Sequence, residues 1–273
     1  MLRPLSTLQR ATLLLAPLMS PVMGAQGTPD VDWFTSHGGS RPESHGHHVM
    51  ECQDGGFLQV GETGYVGSSA RVLVVKTDAT GSLLWKREFG SGSRNMGNSA
   101  LEVADGYLVC GMLSRNSAVL KLDKSTGALL FQQTHDNGGA DAFEHLAVTP
   151  SGILAVGYRN AADPNSTFFA YGEGFITFLD SGGGFVRGQS VNAYVSQAYR
   201  VQPVGDDFII AGGTEDALAY GVLKIDAAGA VLWYETYGGA DQDHCFGMDV
   251  GADGSIFLAG HTLSGTANWD TYT

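Results

Sequence analysis

The sequence predicts an all-β protein, a β-propeller of about five four-stranded blades, from two recurring phrases. In the first phrase a turn precedes a short apolar run that ends on a glycine, and this phrase occurs five times. In the second, an aspartate and a glycine share a turn between two apolar runs, and this phrase follows the first four copies. Regular repetition of this kind indicates one supersecondary unit copied along the chain. The 39 glycines and the low charged fraction of 16% agree, because short strands need tight turns.

The closing glycines of the first phrase measure the length of the repeat. They are Gly61, Gly111, Gly157, Gly212 and Gly260, and neighbouring members are about 50 residues apart. No long segment combines apolar residues at helical spacing with charges opposite, so the pattern favours strands throughout.

The second phrase predicts a β-hairpin. Aspartate accepts hydrogen bonds from the backbone of its own turn, glycine adopts the positive φ that the turn requires, and apolar residues resume on the far strand. Two hairpins per repeat make four strands, which is typical of a propeller blade. We expect the aromatic residue that ends the phrase to dock one blade on the next. The residues of this blade motif are Asp78, Gly81, Trp85, Asp123, Gly127, Phe131, Asp226, Gly229 and Trp233, with Trp33 near the start of the chain.

The repeat boundaries predict a propeller over residues 30–273. Its blades are expected at 45–90, 96–135, 142–191, 197–238 and 244–273. The last blade breaks off within its third strand, whereas residues 31–39 align without a gap on residues 231–239, which belong to an outermost strand. We therefore expect strand 31–37 to complete the last blade and close the ring. The alternative is that the chain is a fragment of a propeller with roughly six to eight blades.

The first 24 residues have the pattern of a secretory signal peptide. Arg3 and Arg10 precede the apolar run 11–19, and small residues follow at a cleavage site near Gly24. We therefore expect a secreted, periplasmic or cell-surface protein. No segment is apolar over the length that a membrane span needs. The net charge of −13 argues against a nucleic-acid partner, and the three cysteines predict no disulfide framework.

The combined pattern of Tyr/Phe-Gly-Gly, Asp-Gly-Gly-aromatic and Lys-x-Asp-x-x-Gly-x-x-x-Trp resembles the secreted bacterial β-propeller repeats of the SBBP type. It is similar, more distantly, to the repeats of PQQ-dependent quinoproteins. The first resemblance implies an extracellular scaffold and supplies no catalytic residue. The quinoprotein motif spaces Asp, Gly and Trp four residues apart, and Asp123, Gly127 and Phe131 alone keep that spacing, with Phe in place of Trp. No PQQ or other cofactor is therefore predicted.

Three groups of residues are candidates for a binding site. His45, His47 and His48 offer imidazole ligands to a transition metal, against the alternative of a solvated loop. Asp141 and Asp243 stand before or along the innermost strands of two blades, near the expected axial mouth, as do Glu144, Asp241 and Asp249. Such carboxylates suit Ca²⁺ or an acid and base pair acting on a sugar, or else they cap loops. The aromatic residues of the insert 160–171 form a candidate recognition patch, namely Phe168, Phe169 and Tyr171.

Three functions remain open from the sequence. The first is a non-catalytic secreted module that binds a protein or a glycan. The second is an enzyme with an axial site, either a quinoprotein-like oxidoreductase or a glycosidase. The third is a structural part of a longer surface protein. Polar side chains from different blades that converge in one axial pocket would separate a ligand site from a plain scaffold.

Overall fold

The computed structural model describes residues 31–64, 69–92, 94–161, 172–214, 219–239, 241–263 and 270–272. The chain divides into a short N-terminal unit that ends at Phe34 and a main unit from Thr35 to Thr273. In the N-terminal unit, residues 31–34 are exposed and have no regular secondary structure. In the main unit all regular elements of the described residues are β-strands, arranged in five antiparallel sheets. The predicted all-β architecture of repeated four-stranded sheets is confirmed.

The first four sheets, which we call blades 1 to 4, have four strands each in sequence order. Blade 1 contains β1 (Ser44–Glu51), β2 (Phe57–Thr63), β3 (Arg71–Thr77) and β4 (Leu83–Phe89). Blade 2 contains β5 (Met96–Val103), β6 (Gly106–Leu113), β7 (Asn116–Leu122) and β8 (Leu129–His135). Blade 3 contains β9 (Ala140–Thr149), β10 (Gly152–Ala161), β11 (Glu173–Leu179) and β12 (Phe185–Ser190). Blade 4 contains β13 (Gln197–Val204), β14 (Asp207–Gly213), β15 (Tyr220–Ile225) and β16 (Val231–Tyr237).

Blade 5 contains three strands in the described part of the chain: β17 (Asp243–Val250), β18 (Ile256–Thr262) and β19 (Asp270–Tyr272). In every blade the first strand is innermost, because β1, β5, β9, β13 and β17 contact one another in that order. The fourth strands β4, β8, β12 and β16 are mostly exposed. The hydrophobic core lies between neighbouring blades. Leu58 and Val60 of blade 1, for example, share one buried cluster with Tyr107 and Val109 of blade 2.

Residues from the two recurring phrases of one repeat form ion pairs with each other. In three blades the lysine before the turn bonds an aspartate from the turn between the first two strands. The pairs are Lys76–Asp54 at 2.9 Å, Lys121–Asp105 at 2.7 Å and Lys224–Asp207 at 2.8 Å. Blade 3 has Phe178 in place of the lysine and Ser151 in place of the aspartate, so both partners are absent together.

The hairpin turns adopt the predicted geometry. Asp78 Oδ1 accepts the backbone N–H groups of Thr80 (2.8 Å) and Ser82 (2.9 Å), and Asp226 does the same in blade 4. Gly81 has a φ of 79°, in the left-handed region that favours glycine. The turn chemistry thus accounts for these aspartates without a bound ion.

The aromatic residues of the motif differ in how deeply they dock. Trp85 is buried, and its Nε1–H donates to the Lys124 carbonyl of blade 2 at 3.0 Å. Its ring covers Gly127, where an added Cβ would lie 2.5 Å from the ring. Phe131 is partly buried in the cluster between blades 2 and 3, and Trp233 is 37% exposed.

The expected closing strand 31–37 is not formed. Residues 31–39 have no strand, and among the described residues β19 pairs with β18 alone. Residues 35 and 37 of this segment instead contact blade 1 through their side chains. Thr35 Oγ1 and His37 Nε2 both hydrogen-bond the Gly81 carbonyl of blade 1, at 3.1 and 2.9 Å. His135 at the end of β8 bonds the Gly183 carbonyl of blade 3 in the same way, at 3.1 Å. His37 therefore makes the inter-blade contact of an outermost strand without the strand pairing.

Candidate axial binding site

Every innermost strand has one β-bulge, and each bulge lies at the same place in the repeat. In blade 2, Gly97 pairs with Gly111 and Ser99 pairs with Cys110, so that Asn98 is the extra residue. The equivalent extra residues are His47, Glu144, Tyr199 and Phe246. A bulge redirects a side chain out of the regular alternation of the strand.

The closing glycines make room for these bulges. Each closing glycine pairs with the residue just before the bulge. A Cβ at Gly111 would lie 2.0 Å from the Met96 carbonyl oxygen, and one at Gly157 would lie 2.0 Å from that of Ala142. No side chain fits at such distances, so the repeated glycine is a consequence of the bulge.

The five bulged side chains converge on one cavity. His47, Asn98, Glu144, Tyr199 and Phe246, one from each blade, line a pocket of about 350 Å³. His45, Gly46 and Arg200 complete its wall. This volume falls within the range of small-molecule sites in proteins. Because all five innermost strands contribute, the pocket lies on the axis around which the blades are arranged.

On one side of the pocket, the imidazole rings of His45 and His47 contact the buried carboxylate of Glu62. Glu62 of β2 is 2% exposed, and its two oxygens lie 2.9 Å from His45 Nδ1 and 2.5 Å from His47 Nε2. His45 Nε2 is also 3.1 Å from Glu43 Oε1. Carboxylates accept hydrogen bonds, so these two contacts favour the protonated form of His45. The hydrogen bond to Glu62 accordingly raises the pKa of His45.

Glu144 is the carboxyl group of the pocket that titrates near neutrality. Its side chain is 7% exposed, and burial raises its pKa to about 7, against the opposing pull of the positive charges of His47 and Arg200. A carboxyl group with such a pKa exchanges protons readily at physiological pH.

Arg200 follows the bulge of β13 and brings a positive charge to the pocket. Its Nη1 donates to the Tyr199 carbonyl at 3.0 Å. Two histidines at the equivalent position of other blades, His48 and His145, lie edge to face with ring centres 6.0 Å apart. Burial, reinforced by the Arg200 charge, lowers the pKa of His48 to about 4 and that of His145 to about 3. Both imidazoles are therefore neutral at pH 7.

Part of the pocket lining is aromatic. The rings of Tyr199 and Phe246 meet edge to face with centres 5.0 Å apart, and Phe246 packs in the same way on His261. His261 Nε2 lies 3.0 Å from His244 Nδ1. The pocket lining thus combines hydrogen-bonding groups with aromatic rings.

The structure separates the three histidines predicted as metal ligands. His45 and His47 line the axial pocket, whereas His48 Nδ1 accepts the Ala100 N–H at 3.3 Å. Within the described ranges, no group of three or more His, Cys, Asp or Glu side chains is placed to hold a metal ion.

The aspartates predicted near the axial mouth bond backbone amides. Asp141 is buried and accepts the N–H groups of Asn137 at 2.7 Å and Asn160 at 2.9 Å. Asp243 is likewise buried and accepts the Gly239 N–H at 2.5 Å. Neither aspartate lines the pocket, whereas Glu144, three residues after Asp141, does.

The predicted recognition patch of Phe168, Phe169 and Tyr171 lies outside the described residues. Sequence reasoning missed Asn98, Tyr199, Arg200 and Phe246. A signal was present, since each bulged residue lies 13 or 14 residues before its closing glycine, as Asn98 does before Gly111. The five residue types differ, so this spacing is the one feature they share.

Comparison with solved structures gives the class of fold. Hydrazine synthase from Kuenenia stuttgartiensis is similar over 84% of this chain and 58% of its own, with a TM-score of 0.56 and 15% identity. The Dos1 propeller is similar over 80% of this chain and 53% of its own, with a TM-score of 0.53 and 16% identity. The chain thus spans less than two thirds of the length of both structures.

At these identities the likeness shows the fold alone, which is a β-propeller. No family model matches the sequence, and no curated protein matches it. Among the residues described by the structure, no helix has the length and apolar character to cross a bilayer.

Proposed function

We propose that this chain is a secreted propeller module that binds a glycan in its axial pocket. The observation that carries the proposal is the convergence of five bulged side chains, one from each blade, on a cavity of about 350 Å³. A scaffold that only presents its outer loops does not need a bulge in every innermost strand. Bulges recur next to functional sites because they aim side chains.

The chemistry of the pocket lining favours a sugar over a purely apolar ligand. Sugars combine hydroxyl groups with apolar ring faces, and the pocket offers both the polar groups of Asn98, Glu144 and Arg200 and the aromatic rings of Tyr199 and Phe246. Secretion is inferred from residues 1–24, and the SBBP-like pattern of the repeats supports an extracellular role. The cavity of about 350 Å³ is at the small end of ligand sites, so it would hold a short part of a longer sugar chain.

Calorimetric titration of neutral and acidic oligosaccharides into the purified chain tests the proposal. We expect Tyr199→Ala to weaken binding about tenfold, because an aromatic contact on the ligand is lost. The matched control is Tyr237→Ala, since Tyr237 is 50% exposed on the outermost strand β16. Equal affinities for both variants, with both folded by circular dichroism, would exclude the axial pocket as the glycan site.

A second candidate function is an enzyme acting at the same pocket. It is favoured by Glu144, whose pKa of about 7 suits a general acid. Hydrolysis of the bound oligosaccharide, followed by chromatography, would reveal it. Turnover that disappears in Glu144→Gln would make the chain an enzyme, and intact oligosaccharide after prolonged incubation supports a binding module.

A further inference from the structure

We infer that the axial pocket selects a sugar bearing a carboxylate. The carboxylate pairs with Arg200, and Glu144 becomes more protonated when the sugar binds. This inference rests on the proposed function and adds the charge of the ligand. Arg200 is not part of the repeat pattern, because the other four blades have no arginine at the equivalent position. The equivalent residues are His48, Ser99, His145 and Gly247.

The first step is the electrostatic position of Arg200. Across the described part of the chain, no carboxylate oxygen lies within 4.0 Å of its guanidinium nitrogens, and its neighbours His48 and His145 are neutral at pH 7. The surroundings are dry enough to lower the pKa of Arg200 itself, mainly through burial. A partly buried cation is stabilised strongly by an anion that reaches it. Arg200 thus provides a charge that no described protein group neutralises at contact distance.

The second step is the chemistry of the guanidinium. Its planar fork matches the two oxygens of a carboxylate, and such bidentate pairs are stronger than neutral hydrogen bonds. One of its five N–H donors bonds the Tyr199 carbonyl, which holds the side chain beside the aromatic rings of the lining. A carboxylate on Arg200 therefore places the attached sugar ring near Tyr199 and Phe246. A uronic acid has this arrangement of carboxylate and ring.

The third step is the role of Glu144. The charged and titratable groups that face it are His47 from β1, Cys110 from β6, Tyr158 from β10 and Arg200 from β13. Without a ligand, Arg200 favours the ionised form of Glu144. A ligand carboxylate would take over this charge and repel ionised Glu144. Because Glu144 is already partly protonated at neutral pH, it would then take up a fraction of one proton from the solvent when the ligand binds.

The overall charge of the protein makes the inference more specific. With a net charge of −13, the surface repels anions at long range. Binding of an acidic sugar would therefore require a local cationic site, and Arg200 is the arginine that lines the axial pocket.

Calorimetry with trigalacturonate and its methyl ester tests the charge of the ligand directly. The two probes share the sugar chain and differ in the negative charge. We expect trigalacturonate to bind at least tenfold more tightly than the ester, and Arg200→Gln to remove this difference. Arg200→Lys, which keeps the charge and loses the fork, should lie between. Arg87→Gln is the control, since Arg87 is exposed on β4.

The outcomes separate this inference from the proposed function. Equal binding of acid and ester, both lost in Tyr199→Ala, would overturn the inference and keep the glycan site. No binding of either probe or of neutral oligosaccharides would overturn both. Binding of acetate or inorganic phosphate with the affinity of trigalacturonate would mean that Arg200 takes any small anion, which would overturn the assignment to a sugar.

Proton uptake gives an independent readout. Titrations of trigalacturonate at pH 7 in MOPS and in Tris differ in heat in proportion to the number of protons exchanged, because the two buffers have different ionisation enthalpies. We expect uptake of a fraction of one proton in the native protein and none in Glu144→Gln. Unchanged uptake in Glu144→Gln would overturn the role of Glu144.

Discussion

Gly212 of β14 lies directly against the backbone of Gln197 in β13: a Cβ added to Gly212 would sit 1.9 Å from the Gln197 carbonyl oxygen. This contact lies next to the bulge that turns Tyr199 toward the axis. The same relationship recurs in all five blades, from Gly61 against His45 to Gly260 against His244. The glycine that defines the repeat and the side chain that lines the pocket therefore belong to one structural device.

Replacement of this glycine should destabilise the protein. We expect Gly212→Ala to lower the free energy of unfolding by about 2 kcal/mol or more, since the backbone must move to admit the methyl group. The neighbouring Gly213→Ala is the control, because a Cβ there meets no atom within 4 Å. Its effect should stay within about 1 kcal/mol. Urea unfolding followed by circular dichroism measures both, and equal effects would show that the bulge is not rigid.

The contribution of each motif aromatic to stability should depend on how deeply its side chain is buried between the blades. We expect Trp85→Ala to cost about 3 to 5 kcal/mol, because a buried indole and its hydrogen bond to Lys124 are lost. Trp233→Ala should cost clearly less, since that side chain is 37% exposed. Thermal unfolding of the two variants makes the comparison. A larger loss for Trp233→Ala would contradict the described packing.

Stability should fall as the pH rises from about 4.5 through 7 because of Glu144. Its folded pKa of about 7 lies above the ordinary value of 4.5, so folding favours the protonated form. The resulting stabilisation is complete below pH 4.5 and is lost as the pH rises through 7, on the order of 3 kcal/mol in all. Glu144→Gln cannot ionise, and its stability relative to the native protein should rise between pH 5 and 8. Parallel pH profiles of the two proteins would contradict a buried, titrating Glu144.

Acid should destabilise the chain through its neutral histidines. His48 and His145 have folded pKa values of about 4 and about 3, below the ordinary 6.5. Their stabilisation is present above pH 6.5 and is lost as the pH falls toward the folded values, by up to about 1.4 kcal/mol per pH unit and per histidine. His145→Gln should therefore flatten the acid limb of a stability profile. His45→Gln is the control, because the pKa of His45 is raised and its removal cannot reduce acid sensitivity. Identical acid limbs for His145→Gln and the native protein would argue against a neutral His145.

Local backbone requirements were readable in the sequence. The turn around Asp78 and Gly81 follows from side-chain hydrogen bonding and a positive φ, which are properties of the residues themselves. The closing glycines also marked the repeat in the sequence. The structure shows why glycine is required there, because each one lies against the backbone beside a bulge. These features depend on contacts close in the chain or within one hairpin.

The pocket forms where side chains from different blades meet. The residue types at these positions did not predict that meeting. Asn98, Glu144 and Phe246 occupy equivalent positions but share no chemical property. Alignment of residues 31–37 with residues 231–237 predicted a strand that closes the ring, whereas the structure has no strand at residues 31–39 and a His37 contact with Gly81 of blade 1 instead.

A crystal structure of the chain soaked with trigalacturonate tests the central claim most directly. We expect density for the sugar in the axial pocket, with its carboxylate on Arg200 and a ring against Tyr199 and Phe246. Sugar bound on the outer strands or hairpin turns instead, with the five bulged side chains free of ligand, would contradict the account.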